Sequence, residues 1–202
     1  MSDLHSHDIP NDLSGHFLIS ETELVDPNFF RTVILITDHT TEGAFGLVVN
    51  RSAEVKIQDL LPDFADVPAG SIPVYIGGPV EQQYLFLLHD GLNEIEMPEP
   101  AISPLEGLVF QPLTETIADV LRRKITRSPE GIQQRVHVFA GYSGWGPGQL
   151  EAELREGAWI THPASAEIIF HRDPARGWQD AMARKGDIYR IIAQTGFKPS
   201  LN

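Results

Sequence analysis

A glycine-rich segment combines residue types that bend a chain with residue types that meet ligands. Residues 141–153 read GYSGWGPGQLEAE; an apolar run from Val136 to Ala140 precedes them. Glycine adopts positive φ angles and permits close approach of a backbone or a ligand. Proline suits the first turn of a helix. The segment, called the elbow (residues 141–153), therefore predicts a tight strand-to-helix turn with Trp145 exposed on it.

Phosphate binding is one interpretation of the elbow, because free N–H groups and the dipole at a helix N-terminus attract anions. The segment lacks the Gly-Lys-Ser/Thr ending of a P-loop, and its glycines do not have the dinucleotide-binding spacing. Glu151 and Glu153 would also repel an anion from the first helical turn. We therefore favour a structural turn whose exposed Trp145 offers a site to a peptide or another partner.

Nucleophilic catalysis is the second interpretation, and it needs a nucleophile, a base and an oxyanion hole within reach of one another. Ser143 precedes a glycine, but the second glycine of a nucleophile elbow is not at the required spacing. His39 and His89 stand at the ends of predicted strands, where a hydrogen-bonded structural histidine is the commoner outcome. An enzyme of unassigned, hydrolytic chemistry, using His39 or His89 with Glu151, is the alternative hypothesis.

Metal binding has little support in the sequence, and we predict neither a metal nor another cofactor. The chain contains no cysteine, which excludes disulfides and thiolate ligands. No compact His-x-x-x-His or Glu-x-x-His pattern occurs. Glu151 and Glu153 lie two residues apart on a predicted helix, so their side chains point to different faces.

The main hypothesis is a binding cleft beside the elbow, because residues at strand ends gather on one rim of a sheet. Trp145 would stack on the ligand, Arg51 would meet a carboxylate or a phosphate, and the glycines would permit close approach. A set of polar groups with a single aromatic side chain is better suited to recognising a protein segment or a small ligand than to catalysing a reaction. The predicted cleft residues are Asn50, Arg51, Gly77, Gly78, Trp145 and Gln149.

Runs rich in β-branched and apolar residues predict the strands that position these side chains. Residues 31–38 and 44–50 are joined by a short polar loop, so we expect them to pair antiparallel. Strands outnumber helices and mostly adjoin one another, which indicates an α+β fold with a largely antiparallel sheet. The predicted strands are residues 16–20, 31–38, 44–50, 74–80, 84–89, 108–110, 136–140 and 158–161.

The clearest helix covers residues 116–125, where Ile117, Leu121 and Ile125 recur at i, i+4 spacing. Shorter helices are predicted at residues 56–61 and 165–170, after the elbow, and after Asp173, and the remainder is predicted to be a tail. Trp159 and Trp178 lie within periodic segments, so we expect them in the core.

Charge and length limit the function classes. The 202 residues include 15 basic and 28 acidic side chains, a net charge of −13, which argues against direct binding of nucleic acid. The first 12 residues are polar and predict a flexible tail, and residues 13–202 predict a single domain. The sequence has no signal-like or membrane-spanning apolar run, so we expect a cytoplasmic protein. It specifies neither partner nor oligomeric state.

With these motifs placed, the chain resembles the AlgH/YqgE family of bacterial proteins from about Leu13 to Trp178. The carrying motifs are GHFLI, DPNF, GAFGLVVNR, GGPV and LH, beginning at residues 15, 26, 43, 77 and 88, followed by the elbow. Ser52 and Ser143 depart from the proline and alanine usual in relatives. The resemblance implies a sheet bent into a pseudo-barrel with helices packed outside, and a proposed regulatory role in alginate production. It implies no established biochemical activity, and we lean against an enzyme.

Overall fold

A ten-stranded sheet forms the framework of the protein. The computed structural model describes residues 10, 12–67, 72–90, 101–127 and 135–196. Apart from residues 10 and 12, the predicted N-terminal tail lies outside these ranges, and so does most of the loop predicted before residue 104. The strands are β1 (His16–Ser20), β2 (Val33–Thr40), β3 (Gly43–Val48), β4 (Ser52–Lys56), β5 (Pro73–Ile76), β6 (Val80–Asp90), β7 (Ile102–Leu105), β8 (Leu108–Pro112), β9 (Val136–Trp145) and β10 (Trp159–Pro163).

The strand order along the sheet is β10-β1-β2-β3-β9-β6-β8-β7, with β5 paired to β9 and β4 paired to β5. Only β5 and β9 pair in parallel among the described strands; every other pairing is antiparallel. The outer strands β10 and β7 do not pair with each other within the described residues, although β7 lies against β2. This curled, open sheet confirms the predicted α+β fold.

Strand β9 is the centre of the sheet because it changes partners along its length. Its first half pairs with β5, and its second half, from Ser143 to Trp145, pairs with β3. Gly141 has a φ of +68° where the partner changes. The sequence predicted that this strand ends at Ala140. That boundary was wrong, because the strand continues to Trp145 before the chain turns at residues 147–148.

Six α-helices accompany the described strands. They are α1 (Ile57–Leu60), α2 (Glu115–Arg127), α3 (Gln149–Arg155), α4 (Ala166–Ile169), α5 (Gly177–Arg184) and α6 (Asp187–Thr195). The predicted helices are present, but α6 lies where a tail was predicted. None of the described helices has the length and apolarity needed to span a membrane.

Apolar side chains cover both faces of the sheet, since neighbouring residues in a strand point to opposite sides. Phe17 and Leu35 pack in the cluster that contains Trp178. Leu18 and Ile34 pack on the other side, in the cluster of Trp145, Trp159 and α3. A third cluster joins α2 to β6 and β9 through Leu121, Leu87 and Val138. Trp159 and Trp178 are 4% and 1% exposed, as predicted for core residues.

Two histidines are buried in the central strands β6 and β9. His89 is 1% and His137 is 5% exposed. Burial lowers the pKa of His137 to about 4, and burial followed by the nearby Lys124 lowers the pKa of His89 to about 4. The His137 ring stacks on Tyr75 with centroids 4.3 Å apart. Both imidazoles are therefore neutral at pH 7.

Replacing His137 by Phe should reduce the loss of stability in mild acid. A histidine in the unfolded chain has a pKa near 6.5, whereas the pKa of folded His137 is about 4. Between these two pH values the unfolded state binds a proton at this residue and the folded state does not. The free energy of unfolding therefore falls as the pH falls through this window. We expect His137→Phe to lose about 2 kcal/mol less than the wild type between pH 7 and pH 5. Urea denaturation at each pH measures the difference.

The half-buried His162 on β10 provides the matched control, because His162→Phe removes an imidazole outside the cores. Its stability should follow the wild-type pH profile. Identical profiles for His137→Phe and the wild type would contradict the assignment of His137 as a neutral core residue.

Candidate functional site

The guanidinium of Arg51 binds the loop between β1 and β2. Its Nη1 donates to the carbonyl oxygen of Asn28 at 2.7 Å, and its Nη2 donates to those of Pro27 and Phe30 at 3.0 Å. Burial lowers the pKa of Arg51 while Asp26 opposes that shift, and arginine stays charged at physiological pH. Main-chain oxygens thus occupy three of the five N–H donors of the guanidinium.

The loop held by Arg51 is anchored from inside by two apolar side chains. We call residues 24–30 the clamped loop. Leu24 and Phe29 are half-buried against the cluster of Trp145 and Trp159. The Phe29 ring meets Trp159 edge-on, with centroids 5.5 Å apart. Two inward side chains and the Arg51 hydrogen bonds therefore fix the loop against the body of the protein.

The remaining side chains of the clamped loop face outward. Val25 is 84% and Phe30 is 45% exposed. Asp26 is also exposed, and its Oδ1 accepts a hydrogen bond from the Asn28 N–H at 2.7 Å, which forms an Asx turn. Its carbonyl oxygen accepts from the Phe30 N–H at 2.7 Å. The loop thus presents apolar and acidic groups on a backbone with internal hydrogen bonds.

Asn50 extends the pairing between β2 and β3 after β3 has ended. Its Oδ1 accepts from the Val33 N–H at 2.8 Å, and its Nδ2 donates to the Arg31 carbonyl at 3.0 Å. The first residue of α5, Gly177, packs so closely that an added Cβ would lie 2.9 Å from the Asn50 Cβ. These contacts give Asn50 a structural role within the described residues.

Gly77 and Gly78 let two segments of main chain touch. A Cβ on Gly77 would lie 2.2 Å from the Gly141 carbonyl oxygen, and one on Gly78 would lie 2.2 Å from the Tyr142 carbonyl. Real Cβ atoms do not approach so closely, so only glycine fits at either position. The sequence predicted that these glycines admit a ligand, whereas in the structure the backbone of β9 lies against both of them.

Trp145 is buried, which corrects the prediction of an exposed indole. It is 7% exposed because β9 continues through it, and strand pairing with Ala44 directs its side chain towards α3. The Glu153 Oε2 accepts hydrogen bonds from the indole N–H groups of Trp145 at 2.9 Å and Trp159 at 2.7 Å. Gln149 donates to the other oxygen of Glu153 at 2.9 Å. One carboxylate therefore joins both indoles to α3.

The six predicted cleft residues make three separate sets of contacts. Asn50 and Arg51 hold the β1–β2 loop, Gly77 and Gly78 touch β9, and Trp145 and Gln149 meet at Glu153. Sequence reasoning missed the hydrogen bonds of Glu153 and the exposed surface of the clamped loop. The DPNF motif indicated the loop, whereas nothing in the sequence pointed to two indoles sharing one carboxylate.

His39 and Glu151 form the pair that the alternative hypothesis named. The Nε2 of His39 lies 3.0 Å from the Glu151 Oε1, and the His39 side chain is only 4% exposed. The Nδ1 accepts the Leu13 N–H at 3.1 Å, so Nε2 carries the proton donated to Glu151. The pKa of Glu151 is lowered first by a hydrogen bond from the Glu151 backbone N–H to its carboxylate and then by the hydrogen bond with His39. Both ring nitrogens are therefore engaged, and the imidazole joins the main chain at Leu13 to Glu151 of α3.

The other catalytic candidates lie in buried surroundings. Ser143 is fully buried and donates to the Gly77 carbonyl at 3.3 Å. His89 contacts Gln111, with Nε2 atoms 3.3 Å apart. Neither takes part in the hydrogen bond between His39 and Glu151, so Ser143 and His89 do not add a nucleophile or a second base to that pair.

Glu153→Gln should destabilise the protein because it removes the charge that strengthens both indole hydrogen bonds. A glutamine whose oxygen stays on the indoles also turns its NH₂ group towards the NH₂ donor of Gln149. A hydrogen bond to a charged group contributes about 1.5–3 kcal/mol and a neutral one about 0.5–1.5 kcal/mol, so we expect a loss of about 1–3 kcal/mol in urea denaturation followed by tryptophan fluorescence. Glu151→Gln on the same helix keeps an acceptor for His39 and should cost less. Equal midpoints for Glu153→Gln and the wild type would contradict the proposed role of this carboxylate.

Comparison with known proteins identifies the family. The sequence profile described as AlgH-like matches residues 17–190. The chain is 38% identical over 184 residues to a UPF0301 protein of Paracoccus denitrificans, covering 89% of this chain and 93% of the relative. It is 32% identical over 188 residues to UPF0301 protein CT0663 of Chlorobaculum tepidum, covering 93% and 95%.

Two solved structures share the architecture. The solution structure of AlgH from Pseudomonas aeruginosa has a TM-score of 0.70 and 29% identity, covering 96% of this chain and 99% of that one. Protein DIP2367 from Corynebacterium diphtheriae has a TM-score of 0.73, with 93% of each chain covered, and its 21% identity makes it a likeness of fold. Sequence and structure agree that this chain belongs to the AlgH-like family.

Proposed function

We propose that this protein binds a segment of another protein and that the clamped loop is its recognition surface. The observation that supports the proposal is the set of three hydrogen bonds from Arg51 to loop carbonyls, beneath side chains that face solvent. A loop already held in one conformation loses less conformational entropy when it binds. Binding residues are commonly carried on loops fixed by a rigid scaffold.

The chemistry of the loop favours a protein partner over a small molecule. Val25 and Phe30 are exposed apolar side chains of the clamped loop, and Asp26 adds one carboxylate between them. Small ligands bind in concave, mostly apolar sites, whereas a projecting apolar side chain fits a pocket of another protein. The partner surface should therefore provide an apolar pocket with a basic group at its rim.

A hydrolytic enzyme is the second candidate, and the 3.0 Å contact between His39 and Glu151 is the observation that favours it. The engaged Nδ1 of His39 and the buried Ser143 weigh against it. Direct regulation through DNA is a weaker candidate still, because a net charge of −13 opposes binding to a polyanion. A regulatory role through protein contact agrees with the proposal.

Photo-crosslinking tests the proposed surface. A photoreactive phenylalanine analogue at position 25 or 30 should form covalent adducts with a discrete protein in an extract of the native cells. The same analogue at Val55, which is 37% exposed on β4, provides a control for non-specific crosslinking. Adducts of equal yield from all three positions, or from none, would contradict the proposal.

Two substitutions separate recognition from folding. Val25→Ser and Phe30→Ser alter exposed side chains, so each should change the free energy of unfolding by no more than about 0.5 kcal/mol while weakening binding of the crosslinked partner. Arg51→Lys should weaken the same binding, because a single ammonium group cannot reproduce the planar set of donors. If all three variants bind the partner with unchanged affinity, the partner binds at another surface and the proposal is wrong.

A further inference from the structure

A groove runs along α2 on the side that faces the segment after α1. Two adjoining cavities of about 330 Å³ and 350 Å³ form it, and they share Asp63 and Arg122. The 3₁₀ turn Pro62–Phe64 lies on the opposite wall. We call this feature the α2 groove. It is separate from the clamped loop and from the predicted cleft.

The α2 groove has apolar lining between its charged walls. Phe64 and Val67 are buried, and Leu61, Leu113 and Ala118 are half-buried. A partner that covers the half-buried Leu61, Leu113 and Ala118 would remove their remaining apolar surface from water, which is favourable by roughly 25 cal/mol per Å².

The charges of the α2 groove change sign along the helix. Glu115, Asp119 and Asp63 line the first cavity with Arg122. Arg123 and Arg127 join Arg122 in the second cavity, facing Asp63 and Asp66. The first cavity therefore carries three acidic groups and one basic group, and the second carries three basic groups and two acidic groups.

Two of the arginines at the second end, Arg123 and Arg127, are exposed to solvent. Arg122 pairs with Asp119 at 3.0 Å, and Arg123 donates its Nε–H to the Asp119 carbonyl at 3.3 Å. Within the part of the chain that the structure describes, neither Arg123 nor Arg127 forms a salt bridge to a carboxylate. The chain as a whole has a net charge of −13, whereas this end of the groove carries more basic than acidic side chains.

The length of the α2 groove fits a short extended peptide. A helix rises about 1.5 Å per residue, so Glu115 and Arg127 are separated by about 18 Å along the axis. An extended chain advances about 3.3 Å per residue, so five or six residues span this distance. A nucleic-acid strand carries negative charge throughout and would be repelled at the acidic end.

We propose that the α2 groove binds an extended segment of another protein that carries a basic side chain and an acidic side chain about four residues apart. The basic group lies beside Glu115 and Asp119, and the acidic group lies beside Arg123 and Arg127. Apolar residues between them cover the lining of the groove. This surface acts independently of the clamped loop, so either proposal can fail alone.

Selection from a random peptide library displayed on phage tests the charge pattern without knowledge of the partner. On purified wild-type protein, enriched peptides should carry one basic and one acidic residue separated by three to five positions. The double variant Arg123→Glu/Arg127→Glu makes both ends acidic, so it should enrich peptides with basic residues at both ends. Misfolding would abolish selection and would not switch it in this way.

A synthetic copy of the most enriched peptide gives the affinity. We expect Arg127→Glu to weaken its binding about tenfold or more, since like charges then oppose each other at that end. The variant Val25→Ser/Phe30→Ser should bind it like the wild type, which separates this test from that of the clamped loop. No enrichment, or the same enriched peptides on wild type and charge-reversed protein, would overturn the proposal.

Discussion

The close contact between Gly77–Gly78 and Gly141–Tyr142 is the constraint on which the sheet depends. The Gly77 carbonyl accepts the Val48 N–H at 2.8 Å, and the Gly77 N–H donates to the Ala140 carbonyl at 2.9 Å. One glycine therefore joins the end of β3 to the middle of β9, just after β5. With any side chain at this point the backbones would separate, and β9 could not pair with β5 and then with β3 along one edge.

Residues that resemble reactive groups in the sequence satisfy the main chain in the structure. Asn50 supplies hydrogen bonds where β3 has ended. His39 accepts a hydrogen bond from the Leu13 N–H, and Arg51 donates hydrogen bonds to carbonyl oxygens of the loop. A strongly curled sheet leaves many backbone groups at strand ends, and unpaired groups are costly when buried. Polar side chains at such positions are therefore expected even where no reaction occurs.

The sequence was informative where one pattern determines one structure. The apolar runs located most strands, and the spacing of Ile117, Leu121 and Ile125 located α2. It failed at Trp145, because an indole on a turn and an indole in a strand have the same sequence context, and only pairing with β3 decides between them. It also failed at β4 and β7, which are short strands, and at α6, whose Ile192 and Ala193 pack in the cluster that contains Trp178. The contacts of Arg51 join segments more than 20 residues apart, which no local pattern encodes. The partners of Glu153 are near in sequence, but their meeting depends on how β9, α3 and β10 fold against one another.

The Arg51 clamp has a consequence for divergence among relatives. Its guanidinium contacts carbonyl oxygens, which every amino acid possesses, and none of its three hydrogen bonds involves a loop side chain. Mutations at outward positions such as Val25 can therefore accumulate while the backbone keeps its course. The architecture therefore separates the hydrogen bonds that fix the loop backbone from the side chains that the loop exposes.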